Sequence, residues 1–252
     1  MIGLKGKRAL ITGGSRGIGA AAAQLFAEYG AHVAIGYRSR AQDADRLVAS
    51  LRKDHGVTAF AHASDISTMH GAEELVERSA AALGGLDFFV GSAGIWPCDD
   101  VALTDMTDVQ WRRTMAENVD SVFYTTRAAI RRMQDNGRIV LVSSTAGQRG
   151  EAFHADYAAS KGAMISFVKS LAPELGKRGI TVNSVAPGWV DTEMCEQPFS
   201  NGGRDRIAAG IPIGRIAAPR DIAGPIVFLC SDLARHMTGE IVNVNGGSVL
   251  CG

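Results

Sequence analysis

No two of the four cysteines, Cys98, Cys195, Cys230 and Cys251, lie within three residues of each other. That excludes a CxxC redox pair and the paired spacing of a zinc site, and leaves free thiols in a reducing compartment as the expectation. No metal is expected. No apolar run approaches the roughly 18 residues that span a bilayer. The few apolar residues after Arg8 are too short for a signal-peptide core. A soluble, cytoplasmic protein is therefore expected. An excess of either charge is also missing, since 26 Lys and Arg balance 26 Asp and Glu. A neutral chain is not built to coat nucleic acid or an anionic membrane. Arg112-Arg113 and Arg131-Arg132 are isolated pairs that read as solvated faces or subunit contacts. Proline is scarce, 7 residues against 30 glycines, and 46% of the chain is hydrophobic and 21% charged. Disordered and collagen-like chains are excluded by that balance. With no repeat, linker or low-complexity tract, residues 1–252 are expected to form a single domain.

What is present alternates. Short apolar runs at 8–12, 32–36, 57–62, 86–90, 138–143, 180–186 and 240–244 read as strands. Helical periodicity fills 17–29, 41–54, 68–83, 107–134 (long enough to be bent or interrupted), 155–178 and 219–230. Strands separated by helices of this length imply right-handed crossovers and a parallel sheet covered on both faces. The fold class expected is α/β, a Rossmann-type doubly wound parallel sheet. One stretch, about 189–219, is irregular, with Gly202-Gly203 and several prolines. A long loop after a strand end is usually functional, and it is expected to act as a substrate lid.

The first strand runs into Thr12-Gly13-Gly14-Ser15-Arg16-Gly17-Ile18-Gly19, and a helix opens at once. Gly13 suits a tight turn, Gly17 lets backbone approach a pyrophosphate, and Gly19 allows close helix–strand packing. The helix N-terminus offers free amides and a positive dipole to phosphates. After the second strand, Tyr37-Arg38-Ser39-Arg40 contains no acid to receive a ribose 2′-hydroxyl. Arg38 or Arg40, with Arg16, could instead pair with a 2′-phosphate. NADP(H) is expected in preference to NAD(H).

Ser144 follows the fifth strand, and Tyr157 and Lys161 stand four residues apart, on one face of a helix. A lysine cation one turn from a phenol favours the phenolate. A phenol so tuned can give or take a hydroxyl proton during hydride transfer, while Ser144 holds the carbonyl oxygen.

With these motifs in order, the sequence resembles the classical short-chain dehydrogenase/reductases over essentially its whole length. The family's TGxxxGxG matches 12–19, and its Ser–Tyr–Lys set matches Ser144, Tyr157 and Lys161. The resemblance implies that Asn118, in NxxxxF with Phe123, anchors a proton relay through Lys161. It implies adenine contacts from Asp65-Ile66. From PGxxxT it implies cofactor contacts from Pro187, Gly188, Val190 and Thr192. Tyr157 and Lys161 would also touch the cofactor. The family's Asn-Asn-Ala-Gly is Gly91-Ser92-Ala93-Gly94 here, so both amide side chains are absent and only backbone is left to line the nicotinamide ribose.

Among the family, the 3-oxoacyl-carrier-protein reductases are most similar. Their carrier-docking basic positions fall on Arg131 and on Pro173, the second of which is not basic. The function implied is reduction of a ketone, a 3-oxoacyl thioester or related carbonyl, to a secondary alcohol. A sugar or polyol dehydrogenase and a non-catalytic dinucleotide-binding scaffold are the alternatives. Family position makes Trp96, Gln148, His154 and Trp189 the substrate-pocket candidates. The resemblance also implies a homotetramer acting on a small-molecule carbonyl or alcohol, with no nucleic-acid or membrane partner.

Overall fold

A strand covered on both faces has no polar side to show, so continuously apolar runs become its strands. In the computed structural model, which describes residues 2–251, they are β1 (Arg8–Thr12), β2 (His32–Tyr37), β3 (Ala59–Ala63), β4 (Leu86–Gly91), β5 (Met133–Val142), β6 (Thr181–Pro187) and β7 (Ile241–Val244). They form one sheet in the order β3-β2-β1-β4-β5-β6-β7, every pairing parallel. The order reverses between β1 and β4. There the crossovers leave on opposite sides and a crevice opens beyond the carboxyl ends of the strands.

The helices in chain order are α1 (Gly17–Glu28), α2 (Ala41–His55), α3 (Met69–Leu83), α4 (Asp108–Met115), α5 (Ser121–Arg132), α6 (Thr145–Arg149), α7 (Ala155–Leu175), α8 (Glu196–Phe199), α9 (Gly203–Ala209) and α10 (Pro219–Cys230). Alternate strand residues feed two cores. Ile11, Ile35 and Val140 pack with Phe26 of α1, Leu47 of α2 and Ile226 of α10. Leu10, Phe89 and Leu141 pack with Leu75 of α3, Ala129 of α5 and Met164 of α7. Each buried Leu, Ile or Phe side chain contributes about 1.5–3 kcal/mol. The sheet is thereby a rigid base for the loops at its carboxyl edge.

Several boundaries moved from the sequence reading. The helical stretch expected over 107–134 is divided into α4, a π-helical turn at Ala116–Asp120, and α5. The wide turn carries Asn118, which is completely buried. π turns of this kind recur at functional sites. Strand β5 starts earlier than 138, because a register shift, with Asn136 at φ 63°, lets Met133 pair with Leu86. The 189–219 stretch is more ordered than a bare loop. Its ends meet in a parallel bridge between Val190 and Ala217, and between them it forms a 3-10 turn at Glu193–Cys195, α8 and α9. No helix among the described residues is long and apolar enough to cross a membrane.

Candidate active site

The turn after β1 is shaped by contacts that exclude side chains. Gly13 has φ 66°, and a Cβ there would lie 2.9 Å from the Ala93 Cα. On Gly19 a Cβ would lie 2.3 Å from the Gly13 carbonyl oxygen. On Gly17, with φ 55°, it would meet the Thr192 methyl at 3.3 Å. Helix α1 has no side-chain cap, so its first amides have no intrahelical partner and face the turn. Gly19→Ala is expected to force the turn open at a cost of about 1–3 kcal/mol, a fall in Tm of roughly 3–10 °C by thermal melting.

The Thr12 hydroxyl oxygen accepts from the amides of Ser92 and Ala93, both at 3.1 Å, so β1 and the turn after β4 stay joined. Above this floor lies a cleft of about 240 Å³. Gly13, Ser15, Arg16, Gly17, Ile18 and Gly19 form one wall and Tyr37, Arg38 and Ser39 the next. Asp65, Ile66, Ser92, Ala93 and Gly94 complete the lining. Uncapped amides, glycines that leave no room for a Cβ, and arginines at one end fit the pyrophosphate and ribose of a dinucleotide. The arginines are not free, however. Arg38 pairs with Glu117, Arg16 with Glu193, and Arg40 Nη2 lies 2.8 Å from the same Glu193 carboxylate.

The cleft continues into a second cavity of about 370 Å³, the two sharing Ile18, Ser92, Gly94, Ile95, Thr192 and Met194. Pro187, Gly188 and Val190 line this second cavity, together with Ser144, Tyr157 and Lys161. Ser144 leaves β5 as the cap of α6, its Oγ accepting from the Ala146 amide at 3.1 Å. Tyr157 and Lys161 stand one turn apart on α7. The preceding Asp156 is fully buried, accepts from Thr114 Oγ1 at 2.7 Å and from the Tyr157 amide at 2.8 Å, and so fastens α4 to the start of α7.

Lys161 Nζ donates to the Val142 carbonyl at 2.9 Å and lies 5.7 Å from the Tyr157 ring centre. The sequence expectation that Lys161 draws the phenol pKa down is not met in the free protein. Burial pushes the Tyr157 phenol up, the nearby Ser144 hydroxyl offsets part of that, and Glu151 and Cys195 add to it. Although the Tyr157 ring is partly exposed, its hydroxyl end is deep. Burial also lowers Lys161, to about 8. Each group is thus biased toward its neutral form by desolvation.

Asn118 lines neither cavity. Its Oδ1 accepts from the Ile95 amide at 2.8 Å, and its Nδ2 donates to the Ile95 carbonyl at 2.9 Å and to Ser160 Oγ at 3.0 Å. It ties the loop after β4 to α7. Gly94 separates it from Lys161, since a Cβ there would lie 2.9 Å from Asn118 Oδ1 and 3.5 Å from Lys161 Nζ.

Three of the four substrate candidates converge. Trp96 stacks on His154 with ring centres 5.0 Å apart and meets Trp189 edge-on at 5.8 Å. Trp96 also reaches Tyr157, at 6.4 Å. Gln148 does not join them. Its Nε2 donates to Asn243 Oδ1 at 2.7 Å, because the short α6 turns its side chain toward β7. An outer polar pocket of about 560 Å³, lined by Asp99, Asp100, His154 and Gln197, shares Trp96, Glu151, Trp189 and Arg206 with the inner cavity. Sequence reasoning missed Glu151 and Arg206. An acid six residues before Tyr157 was the available signal for the first. For the second there was none, since α9 was read as irregular. Burial pushes the Glu151 carboxyl up. Among the described residues no group of three or more His, Cys, Asp or Glu side chains could hold a metal ion.

Residues 13–248 match the family model described as enoyl-(acyl carrier protein) reductase. The chain is 39% identical to the 3-oxoacyl-(acyl-carrier-protein) reductase FabG of Vibrio cholerae, over 97% of this chain and 98% of that one. It is 37% identical to the L-rhamnose 1-dehydrogenase (NAD(P)(+)) of Azotobacter vinelandii, over 96% of each. A short-chain dehydrogenase from Burkholderia cenocepacia, solved in complex with NADP, superposes with a TM-score of 0.91 and 38% identity, covering 97% of this chain and 98% of that one.

Proposed function

This chain belongs to the short-chain dehydrogenase/reductase family of nicotinamide-dependent oxidoreductases acting on CH–OH groups, and from that premise we propose that it reduces a ketone to a secondary alcohol with NADPH. The observation that carries the proposal is the convergence of Ser144, Tyr157 and Lys161 on a cavity continuous with the glycine-lined cleft. When bound there, the nicotinamide supplies the hydride. The Ser144 hydroxyl orients the carbonyl oxygen, and the Tyr157 hydroxyl donates the proton that the developing alkoxide takes up. The Tyr157 phenol holds its proton at neutral pH, as a donor must, and burial strengthens that hold, so its release waits for negative charge to develop on the substrate oxygen. Lys161 donates to the Val142 carbonyl at the floor of the site and, in this reading, also meets the ribose. Asn118 keeps the Ile95 loop and α7 in register around it, and in this reading its part in the proton relay is one of positioning. The scaffold alternative is disfavoured, because all four of these side chains are present.

A 3-oxoacyl thioester is the first substrate to test. A second reading, a sugar or polyol substrate, is favoured by the outer pocket, where Asp99, Asp100, Gln197 and Glu151 offer partners for hydroxyl groups. The deciding experiment measures initial rates with NADPH and NADH across an acetoacetyl thioester and aryl ketones, and in reverse with NADP⁺, glucose and rhamnose. Thioester turnover well above the others supports the first reading; oxidation of the sugars alone replaces it with the second. Arg38→Ala is expected to weaken NADPH about tenfold and NADH less than twofold, by direct binding. An equal loss for both would remove Arg38 as a reader of the 2′-phosphate. A homotetramer without nucleic-acid or membrane partners belongs to the same proposal. Exposed Val109 and Trp111 on α4 and Phe123 on α5 are apolar faces for such contacts. Light scattering at four times the chain mass is the expected result.

A further inference from the structure

The adenosine end of the cleft carries its own carboxylates. Arg16, Arg38 and Arg40 all line it, and so do Glu117, Glu193 and Asp65. Three cations therefore face three anions. A 2′-phosphate arriving while every pair is intact meets no net positive charge. Counting the arginines alone makes the end look like a ready phosphate site. With the acids included, the arginines become available only when something displaces their partners.

The two glutamates are placed differently. Glu117 sits in the π turn beside Asn118, whose side chain is buried with three hydrogen bonds. Its backbone is therefore fixed, and it takes Arg38 from a site 79 residues away in sequence. Glu193 opens the 3-10 turn in the 189–219 stretch and takes both Arg16 and Arg40. Next to it, Thr192 lies over Gly17 of the phosphate turn. The loop after β6 is thus strapped across the cleft to the loops after β1 and β2. The strap's ion pairs are exposed, with about half of each arginine side chain and 41% of Glu193 open to solvent. Exposed pairs are weak and screened, whereas a phosphate is a divalent, multidentate acceptor for guanidinium groups. Of the two, a phosphate is the stronger acceptor for these guanidinium groups.

We propose that Glu117 and Glu193 are specificity-determining residues for the cofactor, carboxylates that occupy the arginines of the 2′-phosphate site and must release them when the phosphate binds. Glu193 adds a link between the two ends of the site. The same side chain that yields to the phosphate anchors the start of the substrate loop, so loop anchoring depends on which dinucleotide is bound. The inference rests on the NADP(H) reading above and concerns how that preference is limited.

The test is calorimetric titration of the whole protein with 2′,5′-ADP, which carries the discriminating phosphate, and with 5′-AMP, which does not. Glu193→Gln and Glu117→Gln keep size and polarity and remove the charge. Each is expected to tighten 2′,5′-ADP by roughly 3- to 10-fold and to leave 5′-AMP within twofold. The effect of Glu193→Gln is expected to shrink in an Arg16→Ala/Arg40→Ala background, because its partners are then gone. Unchanged or weakened 2′,5′-ADP binding in both variants overturns the proposal, showing that the glutamates preorganise the arginines or are bystanders. Equal tightening of both probes overturns it too, as a general field effect. A wild-type protein that binds 2′,5′-ADP no better than 5′-AMP overturns the NADP(H) reading itself, a result visible before any glutamate variant is measured.

Discussion

Tyr157→Phe is expected to lower kcat by about 10²–10⁴-fold while leaving the NADPH dissociation constant within roughly twofold. The substitution removes a single oxygen from the wall of the inner cavity and keeps the ring, which packs edge-on to Trp96. The glycine turn, the uncapped amides of α1 and the arginines of the cleft are untouched. Only the proton is lost. Burial holds the phenol in its protonated form at neutral pH, and Lys161, the stronger acid in the same cavity, directs its ammonium to the Val142 carbonyl rather than into the space where the substrate oxygen would sit. The serine hydroxyl is a far weaker acid, and Glu151 lies toward the outer pocket. Steady-state rates paired with NADPH titration by fluorescence make the check. A kcat near wild type would remove Tyr157 from the chemistry, and a parallel collapse of binding would make its role structural.

The second large effect concerns stability. Lys161 is buried, and desolvation brings its pKa to about 8 from an ordinary 10.5. A buried cation with a lowered pKa costs the folded state stability wherever the unfolded chain holds the proton more tightly. Between those two pH values the unfolded state binds more protons, so stability rises with pH there. The gap corresponds to on the order of 3 kcal/mol in full. Tyr157 acts in the opposite sense, but only above its ordinary value of 10. The window in which Lys161 acts alone of the two is therefore about pH 8 to 10. Lys161→Met removes the charge and nearly keeps the shape. It is expected to be more stable than wild type at pH 7, to lose the rise between pH 8 and 10, and to be catalytically impaired. Urea unfolding across that range makes the comparison, and an identical pH slope in the two proteins would show that Lys161 is not desolvated as described. A stabilised but impaired variant is the usual signature of a site that holds a strained charge for function.

The strands and helices were legible because a doubly wound sheet writes its burial into short apolar runs and longer amphipathic ones. The cofactor cleft was legible for a related reason. Gly13, Gly17 and Gly19 do local work, within one turn, and local work leaves a local signature. What was hidden is non-local. Glu117 and Glu193 reach arginines 79 and 153 or more residues away, and nothing in their own surroundings marks them as partners. The π turn that buries Asn118 looks helical in sequence, since it keeps helical periodicity on either side. Gln148 failed because α6 is too short for periodicity to fix its direction, and its side chain bonds to Asn243 instead. Tyr157 and Lys161 were correctly placed on one face, yet their electrostatics were misjudged. Spacing reports proximity, whereas their protonation follows from burial, which spacing does not report.

In the proposed reaction hydride passes directly from the nicotinamide to the carbon of a carbonyl whose oxygen is held by Ser144 and Tyr157. That transfer is tested most directly with NADPH deuterated at C4 of the nicotinamide, prepared separately in each of its two stereochemical forms. The ketone that turns over fastest is reduced with each form and the product alcohol is analysed by mass spectrometry and NMR. The account predicts deuterium at the carbinol carbon from one form only, and its near absence when Tyr157→Phe replaces the wild-type protein for the same time. An alcohol without deuterium from either form, or equal label from both, would contradict it.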